Sequence, residues 1–345
     1  MNFTKGRRTR RFVLALGAQA IALAGTGALT ATVTPANAQT TLRLAVADPA
    51  DSSVGRAAKD FADLVKEKTG GEVEFQVFAD GVLFGKDQNA AVNQLGSGAL
   101  DGLILASSVY ASFEPRMNAI SLPYLFSDYD QLQGYLRGEP GQTLLSSLDR
   151  LDIKGLGIFL RTFRNVTTRE TPITKAEDFK GLKLRTPNNE LFVALFQALG
   201  ANPTPMAFSE VYSALQLKVI DGQENPVEVP LNNRLYEVQK HLNITQHLAD
   251  SYLLALSKAA WEKIPQEQRA AVQEAADEMV KKHDAEEIAQ ESKIIEELKQ
   301  LGMQVNELPP EEKAKVQEVA RGIYAQFGDK IGKEFMETSL NFVSQ

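Results

Sequence analysis

The chain has 345 residues, 43% of them apolar and 23% charged, with no cysteine and a formal net charge of −7. At about 150 residues per domain this length suggests two domains with substantial cores, and the composition excludes a mostly disordered, collagen-like or multi-span membrane chain. The absence of cysteine removes disulfides, thiolate metal sites, a cysteine nucleophile and any lipid carried on an N-terminal cysteine.

Residues 1–38 carry Lys5, Arg7, Arg8, Arg10 and Arg11 and no acid. A mildly apolar run from Phe12 to Val33 follows and ends in Ala36-Asn37-Ala38, whose small residues at alternate positions fit a signal-peptidase site before Gln39. A single membrane anchor is the rival reading of the run, and the two arginine pairs leave the export route, general secretory or twin-arginine, open. With the segment 1–38 cleaved as a signal peptide, the mature protein is expected in the periplasm, freely diffusible and monomeric. Five of the 37 basic residues lie in that segment, which leaves 32 against 44 acids and a net charge of −12 for the remainder. Nucleic acid and anionic membrane surfaces both require a basic face, so neither is an expected partner.

Leu42, Leu44 and Val46 alternate as in a strand, and Asp48-Pro49 ends it. Residues 54–68 have helical spacing, Val73, Phe75 and Val77 alternate again, and a helix-like stretch at 86–96 leads to the apolar run 102–106. That β-α-β-α-β order predicts a parallel α/β sheet. A second such unit is read from strands at 154–160 and 182–185, a helix at 189–199 and a strand end at 219–221. Residues 260–300 then form a nearly unbroken helical pattern with no proline after Pro265. At about 35 residues and 1.5 Å per residue it would extend about 52 Å, long enough to cross both lobes, either as one helix or as a kinked pair.

Motifs for catalysis are missing. There is no G-x-S-x-G elbow, and Ser107-Ser108 lacks the glycines such a turn needs. His241, His247 and His283 form no H-E-x-x-H pattern, and neither phosphate-binding glycine signature follows a strand. No enzyme activity, cofactor or metal is expected.

The stretch from 179 to 247 is more specific. It contains FKGLKLRTP at 179–187, LGANPTPMAFSEVYSALQ at 199–216, VIDGQENP at 219–226 and LYEVQKHLNITQH at 235–247, preceded by QLGSGALDG at 94–102 and LPYLFSDYD at 122–130. Together these resemble the extracytoplasmic solute receptors of tripartite ATP-independent periplasmic (TRAP) transporters. The resemblance covers nearly all of the mature chain. It implies an α/β, two-lobed periplasmic-binding-protein fold with an interdomain ligand cleft and a long helix spanning both lobes. Lobe I would comprise 39–161 plus 251–290, and lobe II 162–250 plus 291–345.

The resemblance also implies the site. Arg185, the arginine of the GLKLR segment, would pair with the solute carboxylate through two parallel hydrogen bonds. Arg164 would be a second arginine at the solute, with Arg169 the less favoured alternative. Asn225 of DGQENP would bond the same carboxylate, and Phe208 would lay its ring against the solute. From the first lobe the candidates are Asp48, Asp51 and Ser52 after the first strand, and Ser107 and Ser108 after the third, because ligands of open α/β sheets settle at the carboxyl ends of strands. Those residues read equally well as turn and cap residues. The implied partners are a small organic acid and the small and large membrane subunits of a TRAP transporter. The LRTPNN and TFRNVTT wording favours sugar acids, hexuronates or hexonates such as glucuronate or galacturonate. A C4-dicarboxylate or other organic acid, a receptor feeding a sensor kinase, and an exported enzyme on the same scaffold are the alternatives.

Overall fold

The computed structural model describes residues 39–344, and the segment 1–38, expected to be a cleaved signal peptide, lies outside the described residues. Two sheets organise the chain. The first contains β1 (Thr40–Val46), β2 (Val73–Phe78), β3 (Gly102–Ala106), β4 (Ile153–Leu160) and β10 (Ser251–Ser257), in the order β2-β1-β3-β10-β4. The second contains β5 (Arg164–Thr168), β6 (Lys183–Thr186), β7 (Asn202–Pro205), β8 (Gly222–Asn225), β9 (His241–Leu248) and β11 (Gln304–Glu307), in the order β11-β9-β5-β8-β6-β7. The architecture is α/β with one lobe built around each sheet.

The alternation read at the start of the chain is β1, α1 (Ser53–Lys68), β2, α2 (Gln88–Gly96) and β3. As the crossover helices require, β1 is parallel to both β2 and β3. The sheet is not parallel throughout. β10 enters from the second sheet and runs antiparallel to β3 and β4, a long-range pairing that local periodicity does not encode. In the second sheet the strand end expected at 219–221 is corrected to a strand beginning at Gly222: Val219 is 56% exposed in the turn after α7 (Val211–Gln216), and only Ile220 of that apolar pair is buried. Gly222 opens β8 because a Cβ there would stand 2.2 Å from the carbonyl oxygen of Thr167 on β5.

The two sheets are joined where β4 runs into β5 through residues 161–163 and where β9 runs into β10 through residues 249–250. Both links are buried, with Arg161 4%, Thr162 1% and Asp250 0% exposed. An apolar core continues across them through Leu160, Phe163, Phe196 and Leu248.

The helical pattern of 260–300 divides at Pro265. A short helix, Lys258–Lys263, precedes it, and one continuous helix of 32 residues, Arg269–Gln300, follows after the 3-10 turn Gln266–Gln268. At 1.5 Å per residue the long helix extends about 48 Å. Its N-terminal half packs on α1 and β4, and it also touches the short helix Glu228–Asn232 and β11 of the second sheet. Val272, Ala275, Ala276, Met279 and Val280 form its apolar stripe. The stripe then turns polar where β4 ends: Asp284 Oδ1 accepts the Leu160 amide at 2.7 Å and its carboxylate pairs with Arg137, while the His283 ring lies 3.3 Å from the Leu160 carbonyl oxygen. One turn further, Glu287 is 2% exposed, and its Oε1 has no hydrogen-bond partner among the described residues. The helices Tyr324–Ile331 and Lys333–Val343 close the chain, packing on the 3-10 turn Pro115–Ala119 and on the helices Tyr129–Arg137 and Glu139–Ser147.

Burial, reinforced by the charge of Glu228, pushes the Glu287 carboxyl up from 4.5 to about 8. The folded protein therefore retains a proton that the unfolded chain releases near 4.5, and stability falls as pH rises between those values. Glu287→Gln removes the titration, so the variant is expected to gain on the wild type by on the order of 1 kcal/mol per pH unit up to about pH 8. Urea denaturation between pH 6.5 and 8 measures this above the acid window of His283, whose folded value of about 4 costs stability only below 6.5. A difference independent of pH would contradict it.

Candidate solute-binding site

At the carboxyl ends of β1 and β3, and facing the second sheet, lies a cavity of about 40 Å³, which opens to solvent. Of the sequence-predicted site residues, Asp48, Ser108, Arg164, Arg185, Phe208 and Asn225 line it. Ser107 does not. It is fully buried, donates to Asp250 Oδ1 at 3.1 Å and accepts from Ser251, while its neighbour Ser108 reaches the cavity. Ser108 also donates to Asp250, at 3.2 Å to Oδ2, so both serines brace that carboxylate and only Ser108 is at the cavity wall. Ser52 is a helix cap, accepting the Gly55 amide at 3.1 Å, and Asp51 is exposed. Arg164 lines the cavity and Arg169 is not among its lining residues.

Arg164, at the start of β5, is already occupied. Nε donates to Glu224 Oε2 at 2.6 Å and Nη1 to Asp250 Oδ2 at 2.6 Å, while Nη2 reaches Glu224 Oε1 at 2.8 Å and Asn225 Oδ1 at 3.0 Å. The Asn225 amide in turn donates to Gln223 Oε1 at 2.6 Å. Glu224 also lies 3.2 Å from His247 Nε2, and His247 Nδ1 lies 2.8 Å from the Thr245 hydroxyl. Burial opposes ionisation of Glu224, yet the charge of Arg164 and the hydrogen bonds of His247 and Arg164 outweigh it and hold the carboxyl below its usual value. Burial lowers the His247 value, so the ring is neutral near pH 7 and suits a tautomer that donates from Nε2 to Glu224.

The sequence reading missed Arg161. It is 4% exposed, lines the same cavity, donates to Asp250 Oδ2 and Glu228 Oε1 at 3.0 Å each, and stacks 4.4 Å from the Tyr252 ring centroid. Asp250 of one crossing thus ties together Arg161 and Arg164 of the other. Gln88, beside the start of α2, is a second lining residue that was missed. Its position after Asp87, whose carboxylate caps α2 through the Asn89 and Ala90 amides, was the available signal.

Arg185 differs from both neighbours. Nε and Nη2 donate to one carbonyl oxygen, that of Met206, at 3.2 and 2.9 Å, and the guanidinium lies 5.6 Å from the Phe208 ring centroid. Among the described residues no carboxylate lies within 4.0 Å of it, although it is only 4% exposed. Burial lowers its pKa to about 10, with the Glu224 charge opposing and the Arg164 charge adding to the shift. It remains a cation at neutral pH, buried against a cavity without a counter-ion. Across the space, Asp48 has no hydrogen bond to its carboxylate among the described residues. Burial raises its carboxyl to about 6, with Arg161 opposing and Glu228 and Asp80 adding.

The match to known proteins agrees with this geometry. Residues 44–330 match the family described as bacterial extracellular solute-binding protein, family 7. The chain belongs to that family, the solute receptors of TRAP transporters. It is 35% identical over 252 residues to the 2,3-diketo-L-gulonate-binding periplasmic protein of Escherichia coli, covering 72% of this chain and 75% of the other. Among solved structures, it superposes with a TM-score of 0.85 on the sugar acid binding protein of Advenella mimigardefordensis in complex with galactonate, at 29% identity over 89% of this chain and 98% of that one. A TRAP solute-binding protein of Chromohalobacter salexigens with bound D-glucuronate gives 0.83, at 31% identity over 88% and 99%. This TRAP receptor is a binding protein for organic acids and not an enzyme.

The unequal pairing of two cavity arginines separates their roles in the receptor. Arg164→Ala leaves Glu224 and Asp250 short of a buried partner and is expected to cost about 3–5 kcal/mol of stability. Arg185→Ala removes a cation that has no carboxylate partner, only the Met206 carbonyl oxygen, and is expected to cost less than about 1 kcal/mol. Denaturation of both variants without added solute checks this, and equal losses would contradict the distinction.

Proposed function

We propose that this protein is a periplasmic receptor that captures a sugar acid, a hexuronate or hexonate such as glucuronate or galacturonate, and delivers it to the small and large membrane subunits of a TRAP transporter. The observation that carries the reading is the buried, charged Arg185 with no carboxylate partner. A solute carboxylate supplies the missing counter-ion, and the guanidinium fork fixes its orientation. Asn225 and Phe208 flank that position. The opposite wall offers Asp48, Ser108 and Gln88, groups that bond hydroxyls. A second carboxylate at that end would face the Asp48 charge, which favours a polyhydroxy monocarboxylate over a C4-dicarboxylate. The galactonate and D-glucuronate bound by similar proteins support the same class.

In this reading the lobes, 39–161 plus 251–290 and 162–250 plus 291–345, close on the solute as a monomer, hinging where 161–163 and 249–250 cross, with the terminal helices Tyr324–Ile331 and Lys333–Val343 corrected to the first lobe, on which they pack. Closure is driven by contacts that exist only when both lobes engage the solute.

A thermal-shift screen of sugar acids, dicarboxylates and neutral sugars tests the class. At about 100 times its dissociation constant a solute adds about 2.7 kcal/mol of stability. Galacturonate or glucuronate is expected to score and galactose to be silent, with the shift lost in Arg185→Ala. Binding of neutral sugars alone would overturn the reading. Calorimetry at pH 7.5 and 5.5 separates the two acid classes. As Asp48 takes up its proton below about 6, succinate is expected to gain affinity relative to galacturonate. Succinate binding more tightly at both pH values would establish the dicarboxylate class instead.

A further inference from the structure

Beside the cavity the two lobes are bridged by an asparagine that the solute site does not use. Asn189 follows the cavity-lining Pro187 and caps the helix α6 (Glu190–Ala198) of the second sheet by accepting the Leu191 amide on Oδ1 at 2.8 Å. Its Nδ2 donates in the other direction, to the carbonyl oxygen of Ser108 and to Asn118 Oδ1, each at 2.9 Å. Both acceptors belong to the first lobe. Ser108 follows β3 and itself lines the cavity, and Asn118 lies in the 3-10 turn Pro115–Ala119 that packs beside it. Next to this bridge, Ser112 of the first lobe donates to the Asn188 carbonyl oxygen at 2.9 Å.

All the hydrogen-bonding capacity seen on the Asn189 side chain is therefore committed: one oxygen to its own helix, and the amide to the opposite lobe. The bridge is only 5% exposed at Asn189 and 7% at Asn118. It lies four residues along the chain from Arg185 and shares Ser108 with the opposite wall. A movement that parts Arg185 from Ser108 must break it, and a solute held between those walls keeps it formed.

We infer that Asn189 and Asn118 form a latch between the lobes that sets how long the captured acid stays bound. Asn189 is a positioning residue, since nothing in this role requires it to touch the solute. The inference rests on the Arg185 cavity being the solute site, and its test is chosen so that the two can fail separately.

Asn189→Asp is the discriminating variant. It keeps an Oδ1 acceptor to cap α6, but replaces the donating amide by an oxygen that faces two other oxygens. Asn118→Ala removes one acceptor from the other side. Because the chain has no cysteine, spin labels can be placed cleanly at Asn93→Cys on α2 and Gln216→Cys on α7, both exposed positions. Electron–electron resonance distances without solute are expected to shift towards separated lobes in Asn189→Asp. Stopped-flow measurement with D-galacturonate is expected to show dissociation about tenfold faster with association little changed. Asn118→Ala should move both readouts in the same direction by less. Wild-type distances in Asn189→Asp would overturn the latch, as would a lowered melting temperature with unchanged dissociation, which is what a purely structural bond would give. If galacturonate fails to bind the wild type, the sugar-acid reading fails while the label distances still decide the latch.

Discussion

The ion network at the two interlobe crossings is the constraint on which the rest of the structure depends. Arg161 and Arg164 share Asp250, and each takes one further carboxylate, Glu228 and Glu224 respectively. All five groups are buried. Taking charges out of water costs several kcal/mol per ion even after relaxation, so such a network persists only where geometry and hydrogen bonds are nearly complete. Here they are. Asp250 alone accepts from Ser107, Ser108, Arg161, Arg164 and the Ser251 amide. Its effect is to hold the two crossings together beside the cavity, which Arg161 and Arg164 also line.

Arg185 acquires its meaning from that network. Three carboxylates and three arginines gather around the crossings, but direct pairing is divided between Arg161 and Arg164. Arg185 is left with one backbone carbonyl and a distant attraction to Glu224. A buried guanidinium is an expensive group to leave unpaired, and an entering carboxylate relieves that cost in a low-dielectric space where charge-assisted bonds are strong. In the proposed reading, selectivity between acids falls to the opposite wall, where the Asp48 carboxylate tolerates hydroxyls and repels anions. Affinity and choice of solute would then reside on different sheets and be realised together only while the lobes are held against each other.

Much of this was legible in the sequence because it was local or carried by long ordered motifs. The alternation of β1, α1, β2, α2 and β3 follows from apolar spacing, and the apolar pattern after Pro265 became a single helix starting at Arg269. Arg185, Arg164, Asn225 and Phe208 were placed in the cavity by motif resemblance, and the structure brings them together there. What escaped depends on contacts between distant parts of the chain. The antiparallel course of β10 is set by its return from the other sheet. Ser107 and Ser108 both donate to Asp250, and only the packing of the helix turn decides that Ser108 also lines the cavity. Arg161, just past the strand read at 154–160, carried no local signal because Asp250 and Glu228, which hold it, lie 89 and 67 residues further on. The exposed Val219 shows the converse error, an apolar residue in a turn read as part of a strand.

The central claim is that the solute's negative charge replaces a counter-ion that the fold withholds from Arg185. The most direct measurement is a thermodynamic cycle by calorimetry: galacturonate and its neutral amide, each titrated into the wild type and into Arg185→Ala. The account requires the acid to bind the wild type at least a hundredfold more tightly than the amide, a preference of about 2.7 kcal/mol or more, and requires that preference to collapse in the variant. A preference of the same size in both proteins would place the recognition of charge elsewhere and contradict the account.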